Sequence, residues 1–178
     1  MTDTAALAAR LRIAIRDVPD FPREGILFKD ITTLLRDPQT FRAAVDGLVD
    51  AHRDRDIDVV VGVEARGFVI GGAVAYLLGA GFVPVRKQGK LPAATQSITY
   101  ALEYGESVLE IHEDGITPGQ RVLIVDDLLA TGGTASAAVA LVQRLGGEVV
   151  SVAFLVELSA LGGARLLADL PRVSLVTF

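Results

Sequence analysis

The sequence predicts an α/β fold, a mainly parallel twisted sheet flanked by helices, built as a single domain over residues 1–178. Short apolar runs such as Asp58 to Val63 and Arg121 to Val125 suit strands buried on both faces. They alternate with helical periodicities, and strand, loop and helix recurring in that order imply parallel crossovers. With 178 residues, 51% of them hydrophobic, the chain can bury one core and has little length for a second.

Taken in order, Leu7, Leu11 and Ile15 recur every four residues behind a cap at Asp3 or Thr4, a helix that Pro19 and Pro22 stop. Phe21 to Thr32 (FPREGILFKDIT) reads as irregular. Asp37-Pro38 is a cap with proline at the first helical position, and Phe41, Val45, Leu48 and Val49 form the apolar stripe of a helix to about His52. The strand from Asp58 to Val63 leads through EARG into a Gly-rich helix. Gly67 to Val85 is uncharged and nearly long enough to span a bilayer. Gly71, Gly72, Gly79, Gly81 and Pro84 divide it instead into a buried helix, a turn and a buried strand, Phe82 to Val85. Arg86 to Ser97 (RKQGKLPAATQS) is polar, basic and free of any apolar stripe, so a mobile loop is expected over about 87–98.

Thr99 to Tyr104 and Ser107 to His112 flank Gly105-Glu106 as a hairpin. Asp114-Gly115 and Pro118-Gly119 mark turns. Arg121 to Val125 is a strand that ends in Asp126-Asp127, after which LLATGGT opens a helix carrying Ala138, Leu141, Val142 and Leu145 on one face. Gly146-Gly147 ends that helix. A strand from Val149 to Val156, a short helix from Ser159 to Leu167 and a strand from Val173 to Val176 complete the alternation.

Composition excludes several classes of function. Lys and Arg number 17 against 22 Asp and Glu, a net charge of −5, which argues against nucleic acid and an anionic membrane as partners. The absence of Cys removes thiolate chemistry and fits a reducing compartment, and MTDTAALAAR has no secretory pattern, so a cytoplasmic location is expected. Asp54, Asp56 and Asp58 have calcium-loop spacing, but Val59 and Ala65 stand where that loop needs Gly and Glu. His52 and His112 are isolated and read as surface or satisfied core residues. GVEARG has the glycine spacing of a nucleotide P-loop, but Phe68 occupies the Lys position; no GxSxG elbow occurs, and no GxGxxG follows a strand.

The segment that carries chemistry is VLIVDDLLATGGT, Val122 to Thr134: an apolar strand, two consecutive carboxylates and a small-residue loop opening a helix. Ala130 to Thr134 brings backbone N–H groups and the Thr131 and Thr134 hydroxyls to a helix N-terminus, where a phosphate is stabilised, and Gly132 and Gly133 allow close approach. Asp126 and Asp127 do not suit a phosphate; they suit a sugar diol or a hydrated divalent cation. Phosphate and diol on one ligand mean a ribose 5-phosphate.

Val122 to Thr134 resembles the phosphoribosyl-pyrophosphate (PRPP) motif of type I phosphoribosyltransferases. FPREGILFKDITTLL (Phe21 to Leu35), EARGF (Glu64 to Phe68), RKQGKLP (Arg86 to Pro92) and YALEYG (Tyr100 to Gly105) are similar to the adenine-specific branch of that family, over nearly the whole chain and in family order. The resemblance implies the type I fold with a small N-terminal hood at about residues 19–36, the mobile loop as a catalytic lid, a homodimer, and the reaction of adenine with PRPP to AMP and pyrophosphate with Mg2+. It places the ribose hydroxyls on Asp126 and Asp127 and the 5-phosphate on Ala130, Thr131, Gly132, Gly133 and Thr134. Arg66 would meet the pyrophosphate, with Arg86, Lys87 and Lys90 adding positive charge against a leaving group that gains negative charge. Glu103 would stabilise positive charge on the ribosyl group or manage the purine proton, with Tyr104 beside it at the substrate. Ile26, Leu27, Phe28 and Lys29 would form the hood over adenine, Phe28 stacking on the ring, with Leu128, Leu129 and the segment around Leu158 opposite. Magnesium would bind through PRPP and water, with Asp126 and Asp127 nearby.

Three other readings compete: a transferase for hypoxanthine, guanine, xanthine or orotate, a non-catalytic PRPP-sensing regulator, and a dinucleotide-binding oxidoreductase. The hood favours adenine, the basic loop and Glu103 disfavour a regulator, and the missing GxGxxG counts against the oxidoreductase.

Overall fold

The computed structural model describes residues 4–101 and 106–178. Helix α1 (Thr4–Ala14) is followed by strands β1 (Arg16–Pro19) and β2 (Leu27–Asp30), then α2 (Thr32–Arg36) and α3 (Pro38–Asp50). Next come β3 (Val59–Val63), α4 (Arg66–Leu78), β4 (Gly81–Lys87), β5 (Thr95–Ala101) and β6 (Glu106–His112). The chain closes with β7 (Arg121–Leu129), α5 (Gly133–Arg144), β8 (Glu148–Glu157), two 3-10 turns (Ser159–Leu161 and Gly163–Leu167) and β9 (Arg172–Thr177).

Seven strands make one sheet in the order β5-β6-β4-β3-β7-β8-β9. β4, β3, β7, β8 and β9 pair in parallel, while β5 and β6 add an antiparallel edge. The α/β class is therefore as expected. Every residue of β3 is buried, because side chains alternate between two cores. Val60, Leu123 and Val125 join one cluster with Leu11, Leu48 and Val74 from α1, α3 and α4. Val59, Val61, Val122 and Ile124 join the other, with Ala138, Leu141 and Val142 from α5. Asp37 caps α3 as the sequence predicts, its carboxylate accepting the Thr40 N–H at 2.7 Å.

Four local expectations need correction. The stretch expected to be irregular contains β2, which pairs antiparallel with β1 as a ribbon separate from the main sheet, so Pro19 ends a strand rather than following a helix into loop. β5 begins at Thr95, inside the expected loop, because Thr95 to Ala101 finds a partner in β6, with Thr95 opposite His112 and Ala101 opposite Glu106. β7 runs beyond Asp126-Asp127 to Leu129, since β8 continues to pair with it as far as Leu129 opposite Glu157. Ser159 to Leu167 forms two 3-10 turns broken by Gly162, which sits at φ 68°, in place of one helix. The apolar run after Gly67 resolves into α4, a left-handed Gly79 and β4. Among the described residues no helix is long and apolar enough to cross a membrane. His52 is a satisfied core residue: Nδ1 lies 2.7 Å from the Leu48 carbonyl and Nε2 lies 3.0 Å from Ser151 Oγ. Burial pushes its pKa down, which keeps it neutral.

Candidate active site

The carboxyl ends of β3 and β7, the two central parallel strands, lie side by side, and what they present forms a cavity of about 250 Å³. Glu64, Ala65 and Arg66 line it from the β3–α4 connection, Asp126 and Asp127 from β7, Thr134 from α5, Lys87 from the end of β4, and Tyr100, Ser107 and Leu109 from the antiparallel edge. A smaller recess of about 70 Å³ opens beside it, formed by Leu128 to Ala135 with Asp126.

The acidic pair is buried, with Asp126 8% and Asp127 7% exposed. Asp126 Oδ1 accepts the Asp127 N–H at 2.8 Å, and Asp127 Oδ2 pairs with Arg66 Nε at 2.8 Å. Burial first, and then the charge of Asp127, push the Asp126 pKa well up against the opposing pull of Arg66, so Asp126 is held toward its neutral form. Gly67 is what lets α4 come so near: a Cβ there would stand 2.8 Å from Asp126 Oδ1.

The loop Ala130 to Thr134 turns through Gly132 at φ 85° into α5. Its rear is main chain on main chain. The Gly163 N–H donates to the Ala130 carbonyl at 3.1 Å, a Cβ on Gly132 would stand 2.5 Å from the Gly163 carbonyl oxygen, and a Cβ on Gly163 would collide with the Ala130 carbonyl oxygen. The loop's N–H groups are thereby fixed at the start of a 12-residue helix, the geometry that receives a phosphate. Thr134 Oγ1 donates to the Tyr100 hydroxyl at 3.3 Å, which ties this loop to β5.

The basic residues differ in their engagement. Arg66 sits with Nε on Asp127 and Cζ 5.3 Å from the Phe28 ring centroid, so one guanidinium touches both the acidic pair and the hood. Arg86 is committed inward. Nε and Nη2 donate to Glu64 at 3.3 and 3.4 Å, and Nη1 donates to the Lys90 carbonyl at 3.0 Å. Burial would raise the Glu64 pKa, but the Lys87 N–H at 3.0 Å and Arg86 outweigh it and hold that carboxyl below its usual range. Lys87 reaches the cavity wall; Lys90 is not among its lining residues.

In the hood, Phe28 meets Phe21 edge to face at 5.1 Å. Lys29 pairs with Asp17 at 2.6 Å and lies 4.0 Å from the Phe178 ring centroid. Leu27 is half exposed, and the Ile26 N–H donates to the Arg23 carbonyl. Opposite, Leu128 is partly buried at the smaller recess, Leu129 is core, and the Leu158 N–H donates to the Leu129 carbonyl at 2.9 Å. Glu103 and Tyr104 lie outside the described residues. Sequence reasoning assigned no role to Tyr100, Ser107, Leu109 or Gly163. Tyr100 opens the family-like segment YALEYG and Gly163 follows another glycine, but Ser107 and Leu109 carry no such signal, since contacts across the sheet leave no mark in local sequence.

The phosphoribosyl transferase domain family matches residues 30–166. A protein from Paracoccus denitrificans (strain Pd 1222) named adenine phosphoribosyltransferase is 61% identical over 160 residues, 90% of this chain and 86% of that one. The crystal structure of adenine phosphoribosyltransferase from Thermoanaerobacter pseudethanolicus superposes with a TM-score of 0.93 at 51% identity, covering 96% of this chain and 99% of that one. The Saccharomyces cerevisiae adenine phosphoribosyltransferase, complexed with an imino-altritol bisphosphate and adenine, superposes with a TM-score of 0.90 at 42% identity, covering 96% and 99%. With sequence likeness and fold likeness extending over nearly the whole chain, and the acidic pair, Arg66 and Lys87 lining one cavity beside the recess of the glycine loop, the chain belongs to the adenine phosphoribosyltransferases.

Proposed function

We infer that the chain transfers the 5-phosphoribosyl group of PRPP to adenine, giving AMP and pyrophosphate, as purine salvage requires. The observation that carries this reading is the cavity lined by the buried acidic pair, Arg66 and Thr134, with the recess of the Gly-braced loop beside it. In that site the 5-phosphate sits on Ala130 to Thr134 and the ribose hydroxyls bond Asp126 and Asp127. The pyrophosphate faces Arg66 and Lys87 at the cavity, together with Lys90 from the β4–β5 turn. Adenine enters under Phe28, within reach of the same Arg66. As the C1–O bond to pyrophosphate breaks, negative charge grows on the leaving group beside these cations, and the purine nitrogen takes its place at C1. Closure of the loop beyond the Lys87–Lys90 turn over the donor would keep water from capturing the ribosyl cation, with Glu103 assigned to that cation or to the purine proton.

Among the described residues no group of three or more acidic or histidine side chains is placed to hold a metal ion. Asp126 and Asp127, the carboxylate pair at the cavity, would stand beside magnesium that arrives with PRPP and water. When bound, it neutralises the pyrophosphate before departure.

The outer face of α4 supports a homodimer: Val69, Tyr76 and Leu77 are 49%, 85% and 49% exposed, and Tyr76 and Leu77 border an apolar groove with Phe41 and Val45. A cytoplasmic location follows from the reaction. The function is tested by following nucleotide formation from PRPP with adenine, hypoxanthine, guanine, xanthine and orotate, with and without excess chelator. AMP formed from adenine alone, and lost with chelator, is expected. Preference for another base would move the chain to a different substrate, and undiminished turnover in chelator would remove the metal.

A further inference from the structure

The turn from Lys87 to Lys90 is held by carboxylates. Glu110, in β6, is 8% exposed and makes no ion pair among the described residues, yet its Oε2 accepts the Gly89 N–H at 2.9 Å. Gly89 stands at φ 75°, which places that N–H inward. Glu64 accepts the Lys87 N–H, the Gln88 N–H donates to the Val108 carbonyl at 3.2 Å, and Arg86 takes the Lys90 carbonyl. A main-chain group of each residue in the turn is thus bonded.

Pairing register shows which side Glu110 works from. Arg86 is opposite Glu110 and Lys87 opposite Leu109, so Glu110 and Arg86 share one face of the edge while Lys87 and Leu109 share the other. Leu109 and Lys87 line the cavity; Glu110 lies behind it. A buried carboxylate is costly and is kept where a bond to its charged form returns the cost.

We propose that Glu110 is a positioning residue for PRPP binding: from behind the sheet it fixes the Lys87–Lys90 turn through Gly89 and so sets the Lys87 ammonium at the cavity. This rests on the reading that Lys87 faces the pyrophosphate. Because Lys87 meets the pyrophosphate and the negative charge that grows on it, a misplaced ammonium costs kcat/KM for PRPP and spares the KM for adenine, so the signature is selective. Glu110→Ala lowers kcat/KM for PRPP about tenfold, the loss of one charge-assisted bond, and leaves the KM for adenine within about twofold. Glu110→Gln, whose amide oxygen still accepts the Gly89 N–H, stays within about threefold of the parent.

The experiment is steady-state kinetics on the parent, E110A, E110Q, K87A and the K87A/E110A double variant, with thermal melts alongside. A double variant no worse than K87A is expected, since removing Lys87 leaves nothing for the turn to aim. If K87A itself has the parent's kcat/KM for PRPP, the underlying reading of Lys87 falls. If K87A is impaired and E110A is not, positioning by Glu110 is overturned. An E110Q as poor as E110A, with both KM values and kcat degraded together, would leave Glu110 a plain stability residue and also overturn the proposal. Should E110A fail to fold, Glu110→Asp, one methylene too short to reach Gly89, replaces it in the same comparison.

Discussion

The loop Ala130 to Thr134 is braced by main chain packed on main chain, whereas the β1–β2 hood across the site adds charges and rings to a two-stranded ladder of its own. Behind the loop stands Gly163, and the strand that leads into the loop, β7, is an interior strand of a seven-stranded sheet. The hood pairs with no strand of that sheet. Its ties are Arg16 to Asp30, Lys29 to Asp17, Lys29 and Arg12 on the two sides of the Phe178 contact, and Arg66 beneath Phe28. Main-chain packing fixes one geometry and tolerates no added atom; side-chain ties can be exchanged singly at modest cost. The phosphate end is therefore rigid by construction and the base end adjustable.

The sharpest way to break this contrast is Gly163→Ala. Its Cβ would collide with the Ala130 carbonyl oxygen and stand 2.7 Å from the Gly132 nitrogen, so the loop must move. Turnover should fall at least about a hundredfold, the scale set by misplacing a positioning group by about 1 Å. Near-parental kcat/KM in this variant would mean that the loop adapts and is no more rigid than the hood.

Next in size is Asp126→Asn, expected to lower kcat/KM about a hundredfold while stabilising the fold by about 1 kcal/mol at neutral pH. Asp126 has its folded pKa raised by burial and by Asp127, so its contribution to stability is full below the unfolded value and is lost as pH rises through the folded one. The substituted amide never ionises and escapes that loss. The gain in Tm over the parent should therefore be present at pH 7 and vanish as pH falls below about 4. Melting curves across that range decide it, and a variant less stable than its parent at pH 7 would show that the charge is not strained.

The same contrast explains what the sequence disclosed. Strand, acidic pair, Gly loop and helix are contiguous from Val122 to Thr134, so local pattern alone located the phosphate end. The alternation of elements was legible for the same reason. The hood ribbon was not, because Arg16 to Pro19 and Leu27 to Asp30 are four residues each and carry no strand periodicity; they are set by partners such as Arg66 and Phe178, remote in sequence. Nor was the start of β5 at Thr95, which depends on β6 being opposite it.

In the hood, Phe28→Leu should raise the KM for adenine about fivefold and leave that for PRPP within about twofold, since the substitution keeps apolar bulk but removes a ring worth about 1 kcal/mol in stacking. Phe178→Leu, which removes the ring beneath Lys29 and Arg12, should raise the KM for adenine about threefold. Kinetics with each substrate varied in turn checks both, and equal changes in the two KM values would make the hood part of one rigid site.

The smallest effect tests whether the hood's ties are electrostatic at all. Arg16 bonds Asp30, and the Thr32 N–H donates to Asp30 Oδ1 at 2.9 Å; with Arg16 the larger influence, the Asp30 pKa is lowered from 3.8 to about 2. A depressed folded pKa means stability that is present above the unfolded value and is lost as pH falls through the folded one, here between about 4 and 2. Asp30→Asn keeps an oxygen for the Thr32 N–H but loses the charge opposite Arg16. Because the Arg16 side chain is 58% exposed, water screens the pair and the loss should be only about 1 kcal/mol, or about 2–4 °C in Tm at pH 7. That offset should narrow steadily as pH is lowered from 4 toward 2, where the parent loses the same charge, and it should shrink in 1 M salt. A constant offset at every pH and salt concentration would mean that shape rather than charge holds β1 to β2, and the hood would then share the packing logic of the phosphate loop.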